Sequence, residues 1–206
     1  MEPATHSKDT PTDPGYPPLV LRLRPVLELT QDQFLELSSL NHDLHLELTA
    51  EGELVVMPPA GGESSNVNAG ITAQLWIWAK RDGTGAAFDS SGGFVLPNGA
   101  VRSPDSSWVR RSRLETLTTE QRRRFLPLCP DFVMELRPSS DRLSIVQDKM
   151  KEYMDNGARL GWLIDPEQKR VYVYRPQRPV REQDAPETVS GDPVLPGFVL
   201  NLREVW

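Results

Sequence analysis

Asp131-Phe132-Val133-Met134-Glu135-Leu136 decides how this chain is read. Its apolar residues run almost without a break, the pattern of a central strand covered on both faces. One acid is set among them. An ionised carboxylate between Met134 and Leu136 is costly to bury, so Glu135 needs a cation, a metal or an opening to solvent.

Downstream, Leu143, Val146, Met150, Tyr153 and Met154 recur at helical spacing, which predicts an amphipathic helix over 142–156 stopped by Gly157. Two strands over 160–164 and 171–174 follow, turning at Asp165-Pro166-Glu167, and the polar, proline-bearing stretch 176–186 reads as a loop. Upstream, two short helical pieces span 111–125, the second opened by Thr118 with Gln121 three residues on. Strands near 107–110, at Ala87-Phe88 and at Gly93-Phe94-Val95-Leu96 surround a tight Pro97-Asn98-Gly99 turn. Before them come a helix over 64–80, a hairpin of Leu44-His45-Leu46-Glu47-Leu48 with Leu54-Val55-Val56-Met57, and a helix over 31–40 with a Thr30–Gln33 capping box. Strands and helices in this order predict an α/β fold, a mixed sheet with helices against it.

The whole chain has 206 residues, 23 Lys+Arg against 29 Asp+Glu, and a net charge of −6. That length predicts one domain, over 19–206. Residues 1–18, with Pro3, Pro11, Pro14, Pro17 and Pro18, read as a disordered tail. Mean hydropathy is −0.45, and no stretch approaches the roughly 18 consecutive apolar residues of a membrane helix. No association with a membrane is expected. The single cysteine, Cys129, leaves neither a disulfide framework nor a multi-cysteine zinc site within one chain, and a cytoplasmic location is the natural expectation. A pI near 5.2 argues against coating nucleic acid by bulk charge, though not against a local basic patch.

Asp105 follows Pro104 at the start of a strand. If that strand neighbours the one carrying Glu135, the two carboxylates converge on one hard divalent cation, which takes oxygen ligands and keeps several waters. Lys149, on the next helix, reaches the same pocket and orients or deprotonates an attacking water. Each residue has a plainer reading: a turn acid for Asp105, a solvated helix lysine for Lys149, and for Glu63 an acid favourably placed at a helix start. Asp131 shares strand parity with Glu135 and reads as the residue that opens the strand. His6, His42 and His45 lack metal-type partners, and no phosphate loop or dinucleotide fingerprint is present. Trp76, Trp78, Trp108 and Trp162 are expected in the core.

Met57-Pro58-Pro59, Gly61-Gly62-Glu63, Arg102-Ser103-Pro104-Asp105, the 130–136 strand, Lys149-Met150-Lys151-Glu152-Tyr153, Asn156-Gly157 and Trp162-Leu163-Ile164-Asp165-Pro166 occur in that order. Over about residues 28–206 the chain resembles the Uma-two family, a restriction-endonuclease-like branch of the PD-(D/E)XK nuclease superfamily. The resemblance implies a sheet flanked by helices, carboxylate-bound Mg²⁺ with Mn²⁺ as a substitute, and cleavage of DNA phosphodiesters. It implies that Asp105 and Glu135 are the motif carboxylates, that Glu63 adds a third metal ligand, and that Asp89 is a weaker member of the pocket. The motif's lysine position holds Arg137, which stays protonated and is a poor general base; Lys149 is assigned the missing role. Lys149→Ala is then expected to abolish cleavage while sparing metal affinity.

A homodimer suits an enzyme that cuts both strands. Two other functions fit the same residues: a catalytically inactive nucleic-acid-binding module, and a homodimeric interaction protein on the same fold. A basic surface would come from Arg110, Arg111, Arg113 and Arg122-Arg123-Arg124, which also read as a solvated face.

Overall fold

The computed structural model describes residues 17–138 and 141–206, so the expected tail lies outside the described residues up to residue 16. The chain begins with β1 (Leu19–Arg22) and α1 (Gln31–Leu40). Thr30 Oγ1 accepts from the Gln33 N–H at 3.2 Å, and the Gln33 side chain accepts from the Thr30 N–H at 2.9 Å, the reciprocal cap that their spacing predicts. The hairpin of β2 (His45–Leu48) and β3 (Glu53–Met57) turns through Gly52 at φ 82°. The long helix α2 (Gly62–Asp82) leads into β4 (Gly85–Asp89), then β5 (Phe94–Val95), β6 (Val101–Arg102) and β7 (Ser106–Arg110). Two short helices follow, α3 (Arg111–Glu115) and α4 (Thr119–Arg122), the second capped by Thr118 and Gln121. After them come β8 (Phe132–Leu136), α5 (Leu143–Asp155), β9 (Leu160–Asp165), β10 (Arg170–Tyr174), β11 (Arg181–Asp184), β12 (Thr188–Ser190) and β13 (Val199–Asn201).

The mixed sheet has six strands in the order β11-β10-β9-β8-β7-β4, with β8 and β9 parallel and every other pair antiparallel. The parallel pair needs a crossover, and α5 supplies it. A second, wholly antiparallel sheet has the order β1-β3-β2-β6-β5, and β12 with β13 forms a separate ribbon. One mixed sheet was the expectation; the structure divides the strands among three. The stretch 176–186 is not all loop, because it contributes the edge strand β11.

Both faces of β8 are covered, as its composition demands. Phe132, Met134 and Leu136 pack with Ile71 and Leu75 of α2, Trp108, Trp162 and the ribbon's Leu200. Val133 packs with Val146, Met150 and Tyr153 of α5, and Glu135 shares that parity. Gly161 of β9 lets α5 lie close, since a Cβ there would collide with the Met150 methyl. Trp108 and Trp162 are buried and Trp78 is partly so, but Trp76 is 51% exposed, on the solvent side of α2. Among the described residues no helix is long and apolar enough to cross a membrane.

Candidate active site

Ser106 pairs with Met134 and Ser107 with Val133. Continuing that antiparallel register by one step sets Asp105 opposite Glu135, on one face of the sheet. Asp105 is fixed from two sides: its Oδ2 accepts from the Leu136 N–H at 2.8 Å, and its Oδ1 from Asn68 Nδ2 of α2 at 3.3 Å. Glu135 is buried, and its Oε1 meets Tyr153 Oη at 2.9 Å and Lys149 Nζ at 3.0 Å. Lys149 and Tyr153 lie four residues apart on α5 and so project together over the sheet.

A third carboxylate, Glu47 of β2, arrives from the other sheet. Its Oε1 is 2.9 Å from Lys149 Nζ and accepts from the Ser103 N–H at 2.9 Å, while its Oε2 is 3.1 Å from an Arg102 guanidinium nitrogen. Arg102 Nε continues to Glu152 at 2.6 Å, and Glu152 accepts from Asn98 Nδ2 at 2.9 Å. Sequence reading missed Glu47. In Leu46-Glu47-Leu48 an alternating acid looks like the solvent side of a strand, and its partner Lys149 lies far away along the chain. His45, two residues earlier on the same strand face, adds a favourable electrostatic influence on Asp105.

The shared lysine serves its two carboxylates unequally. Burial opposes ionisation of Glu47, but Lys149, Arg102 and the Ser103 N–H outweigh it and lower the carboxyl to about 2. Glu135 is raised to about 7: burial dominates, and repulsion from Asp105 and Glu47 adds to it against the pull of Lys149. Burial also raises Asp105, despite the Leu136 N–H. For Lys149 the two acids overcome burial and hold the ammonium's pKa above its ordinary value.

The depressed Glu47 value predicts acid sensitivity. A carboxyl near 4.5 unfolded and about 2 folded stabilises the native state above pH 4.5, and that contribution disappears as pH falls toward 2. The shift corresponds to about 3 kcal/mol. In urea titrations the wild type should lose stability between pH 4.5 and 2 more steeply than Glu47→Gln. Parallel curves would contradict the assignment.

A family model described as "Putative restriction endonuclease", Uma2, matches residues 31–203. The chain belongs to the Uma2 family. Its fold is similar to that of a crystal structure described as "a putative nuclease belonging to DUF820" from Anabaena variabilis ATCC 29413. The TM-score is 0.67 at 22% identity, covering 78% of this chain and 88% of that one. No protein in the curated comparison matches.

The other expected residues of the Uma2 chain fall differently. Glu63 is exposed in the first turn of α2, and the residue of that helix that reaches Asp105 is Asn68. Among the described residues no three His, Cys, Asp or Glu side chains gather into a metal-binding group, so Asp105, Glu135 and Glu63 do not form the three-ligand set. Asp89 is occupied by its own turn, accepting from the Ser91 N–H at 3.1 Å and from the Ser91 hydroxyl. Asp131 is structural, accepting from the Arg110 N–H at 2.9 Å and pairing with Arg113 at 3.2 Å. Arg137 pairs with the buried Asp165 at 2.7 Å and donates to the Asp141 carbonyl, whereas Lys149 touches Glu135. Much of the expected basic surface is engaged locally: Arg111 donates to the Gly83 carbonyl, Arg122 to the Leu117 carbonyl, and Arg124 pairs with Asp32.

Proposed function

We propose that this Uma2 protein is a nuclease that hydrolyses DNA phosphodiester bonds with Mg²⁺, for which Mn²⁺ can substitute. The observation that carries the reading is the pairing of Asp105 with Glu135 beside Lys149. Burial pushes both carboxyls toward their protonated forms, and repulsion between the two adds to the shift at Glu135. A divalent cation between them would relieve that repulsion.

The donors suit a hard cation, since all are oxygen. Beside the two carboxylates, Asn68 Oδ1 is buried without a hydrogen-bond partner among the described residues. Mg²⁺ is commonly held by one or two protein carboxylates, with water and substrate phosphate completing its shell, so Asp105 and Glu135 suffice to hold it. When bound, it supplies Lewis acidity at the phosphoryl group.

The remaining work falls to the chain. Tyr153 and Lys149 hold Glu135 by Oε1, which leaves Oε2 for the ion. Lys149 has three N–H donors, and Glu47 and Glu135 take two. The third can orient an attacking water or meet a phosphoryl oxygen. With its pKa raised, Lys149 is a donor at neutral pH and not a base, which narrows the role expected from sequence.

Plasmid cleavage with Mg²⁺ or Mn²⁺ tests the reading, alongside Mn²⁺ calorimetry in the presence of DNA. Glu135→Gln, verified as folded by circular dichroism, should lower kcat by roughly 100-fold or more. Mn²⁺ affinity of the wild type should rise from pH 6 to 8, because the Glu135 proton competes with the ion until pH passes about 7. A wild type that neither cuts DNA nor binds the ion in its presence would overturn the proposal.

A further inference from the structure

A groove of about 630 Å³ lies along the β10–β11 edge of the six-stranded sheet, between that edge and β12. Val173 forms its buried floor, Arg175, Arg178 and Arg181 stand around it, and Thr188 brings a hydroxyl from β12. An adjoining recess shares Arg175 and Arg178 and adds Arg159.

Local sequence explains how these charges meet. Arg175-Pro176-Gln177-Arg178 forms a tight turn in which the Arg178 N–H donates to the Arg175 carbonyl at 3.3 Å and Gln177 adopts φ 56°. Glycine or asparagine is the usual occupant of such a left-handed position, so the chain accepts a strained turn that brings two arginines together. Arg181 pairs with Val173 across β10 and β11 and therefore stands on the same sheet face as the groove floor.

One acid, Asp192, also lines the groove and offsets part of the charge at Arg175. Asp192 accepts from the Ser190 hydroxyl at 3.0 Å and the Gly197 N–H at 2.9 Å, and Arg175 donates to its main-chain oxygen at 2.5 Å. Among the described residues neither Arg178 nor Arg181 has a carboxylate partner. Farther along the same two strands, Arg170 has two, Glu182 and Asp184. Partial burial and the neighbouring Arg178 lower the pKa of Arg175 by more than Asp192 raises it, the direction expected where cations outnumber the acid beside them.

We propose that this groove is a phosphate-binding site with Arg175, Arg178 and Arg181 as its cationic walls. Guanidinium groups present paired N–H donors that match a phosphate's oxygens, and three of them against the one carboxylate of Asp192 fit that ligand better than a single carboxylate. The phosphate belongs to a small phosphorylated molecule or to a nucleic-acid backbone. Arg181 aligns through Val173 and Trp162 with Met134, on the sheet face opposite Glu135. The site is thus separate from the Asp105–Glu135 pair and stands whether or not the nuclease reading holds.

Full-length wild type and Arg178→Gln/Arg181→Gln would be titrated with pyrophosphate by calorimetry and with a labelled single-stranded oligonucleotide by anisotropy. The double variant should bind at least one of these probes roughly tenfold more weakly or worse, while Arg22→Gln, an exposed arginine on β1 of the other sheet, binds like the wild type. Pyrophosphate binding without oligonucleotide binding assigns a small phosphorylated ligand. Oligonucleotide binding whose log–log salt slope becomes shallower by about 1.4 in the double variant assigns the backbone. Equal affinities in wild type and double variant, no binding of either probe, or polyglutamate binding as tight as pyrophosphate would overturn the proposal. None of these results depends on whether DNA is cut.

Discussion

Lys149→Ala should destabilise the protein by about 3–5 kcal/mol, because it strips the shared cation from two buried carboxylates at once. Glu47 keeps Arg102 and the Ser103 N–H, but among the described residues Glu135 keeps only the Tyr153 hydroxyl and faces Asp105. The Glu135 carboxyl therefore rises further, and metal affinity at neutral pH falls along with cleavage. This replaces the simpler expectation that Lys149→Ala abolishes turnover and spares the metal. A urea titration of Lys149→Ala, Glu47→Gln and the double variant Glu47→Gln/Lys149→Ala measures the coupling. The double variant should fall short of the summed losses by about 0.5–3 kcal/mol. Strict additivity, or Lys149→Ala as stable as wild type, would show that the lysine is not bound into the core as described.

Trp162→Ala should cost about 3–5 kcal/mol for a different reason. Trp162 is fully buried at the centre of β9, edge-on to Phe132 at 4.9 Å and stacked on Phe198 at 5.9 Å. Removing it opens a void between the six-stranded sheet and the segment that joins β12 to β13. Its Nε1 is buried without an acceptor among the described residues, so the indole N–H contributes desolvation cost and no bond. Trp162→Phe keeps an aromatic ring and discards that donor, and should cost less than about half as much. Thermal melts of the two variants decide the matter, and equal losses would show that ring packing is not what Trp162 supplies.

Local patterns carried much of this fold. The capping pairs Thr30–Gln33 and Thr118–Gln121, the apolar run ending in Glu135 and the helix closed by Gly157 each state their structure within a few residues. Asp105 was legible from its proline and from the strand it opens. What escaped was set by distance or by context. Glu47 differs from an ordinary exposed strand acid only through Lys149, Arg102 and Ser103, which the chain supplies much later. Arg137 sits at the motif's lysine position, yet the buried Asp165 claims it, and no spacing announces that pair. The edge strand β11 has polar residues on both faces because it is largely solvated, so it lacked the alternation that reveals a half-buried strand.

The chain of contacts from Asn98 through Glu152, Arg102 and Glu47 to Lys149 and Glu135 joins residues from separate layers of the molecule. Under the proposed function this has a consequence during synthesis. Asp105 and Glu135 leave the ribosome before Lys149, and Glu47 is oriented only after the early hairpin closes over a helix made later. A nascent, truncated or partly melted chain would carry the acids without the aligned ammonium. Hydrolytic competence would then arrive with completed folding, which would protect the host genome from fragments of its own enzyme.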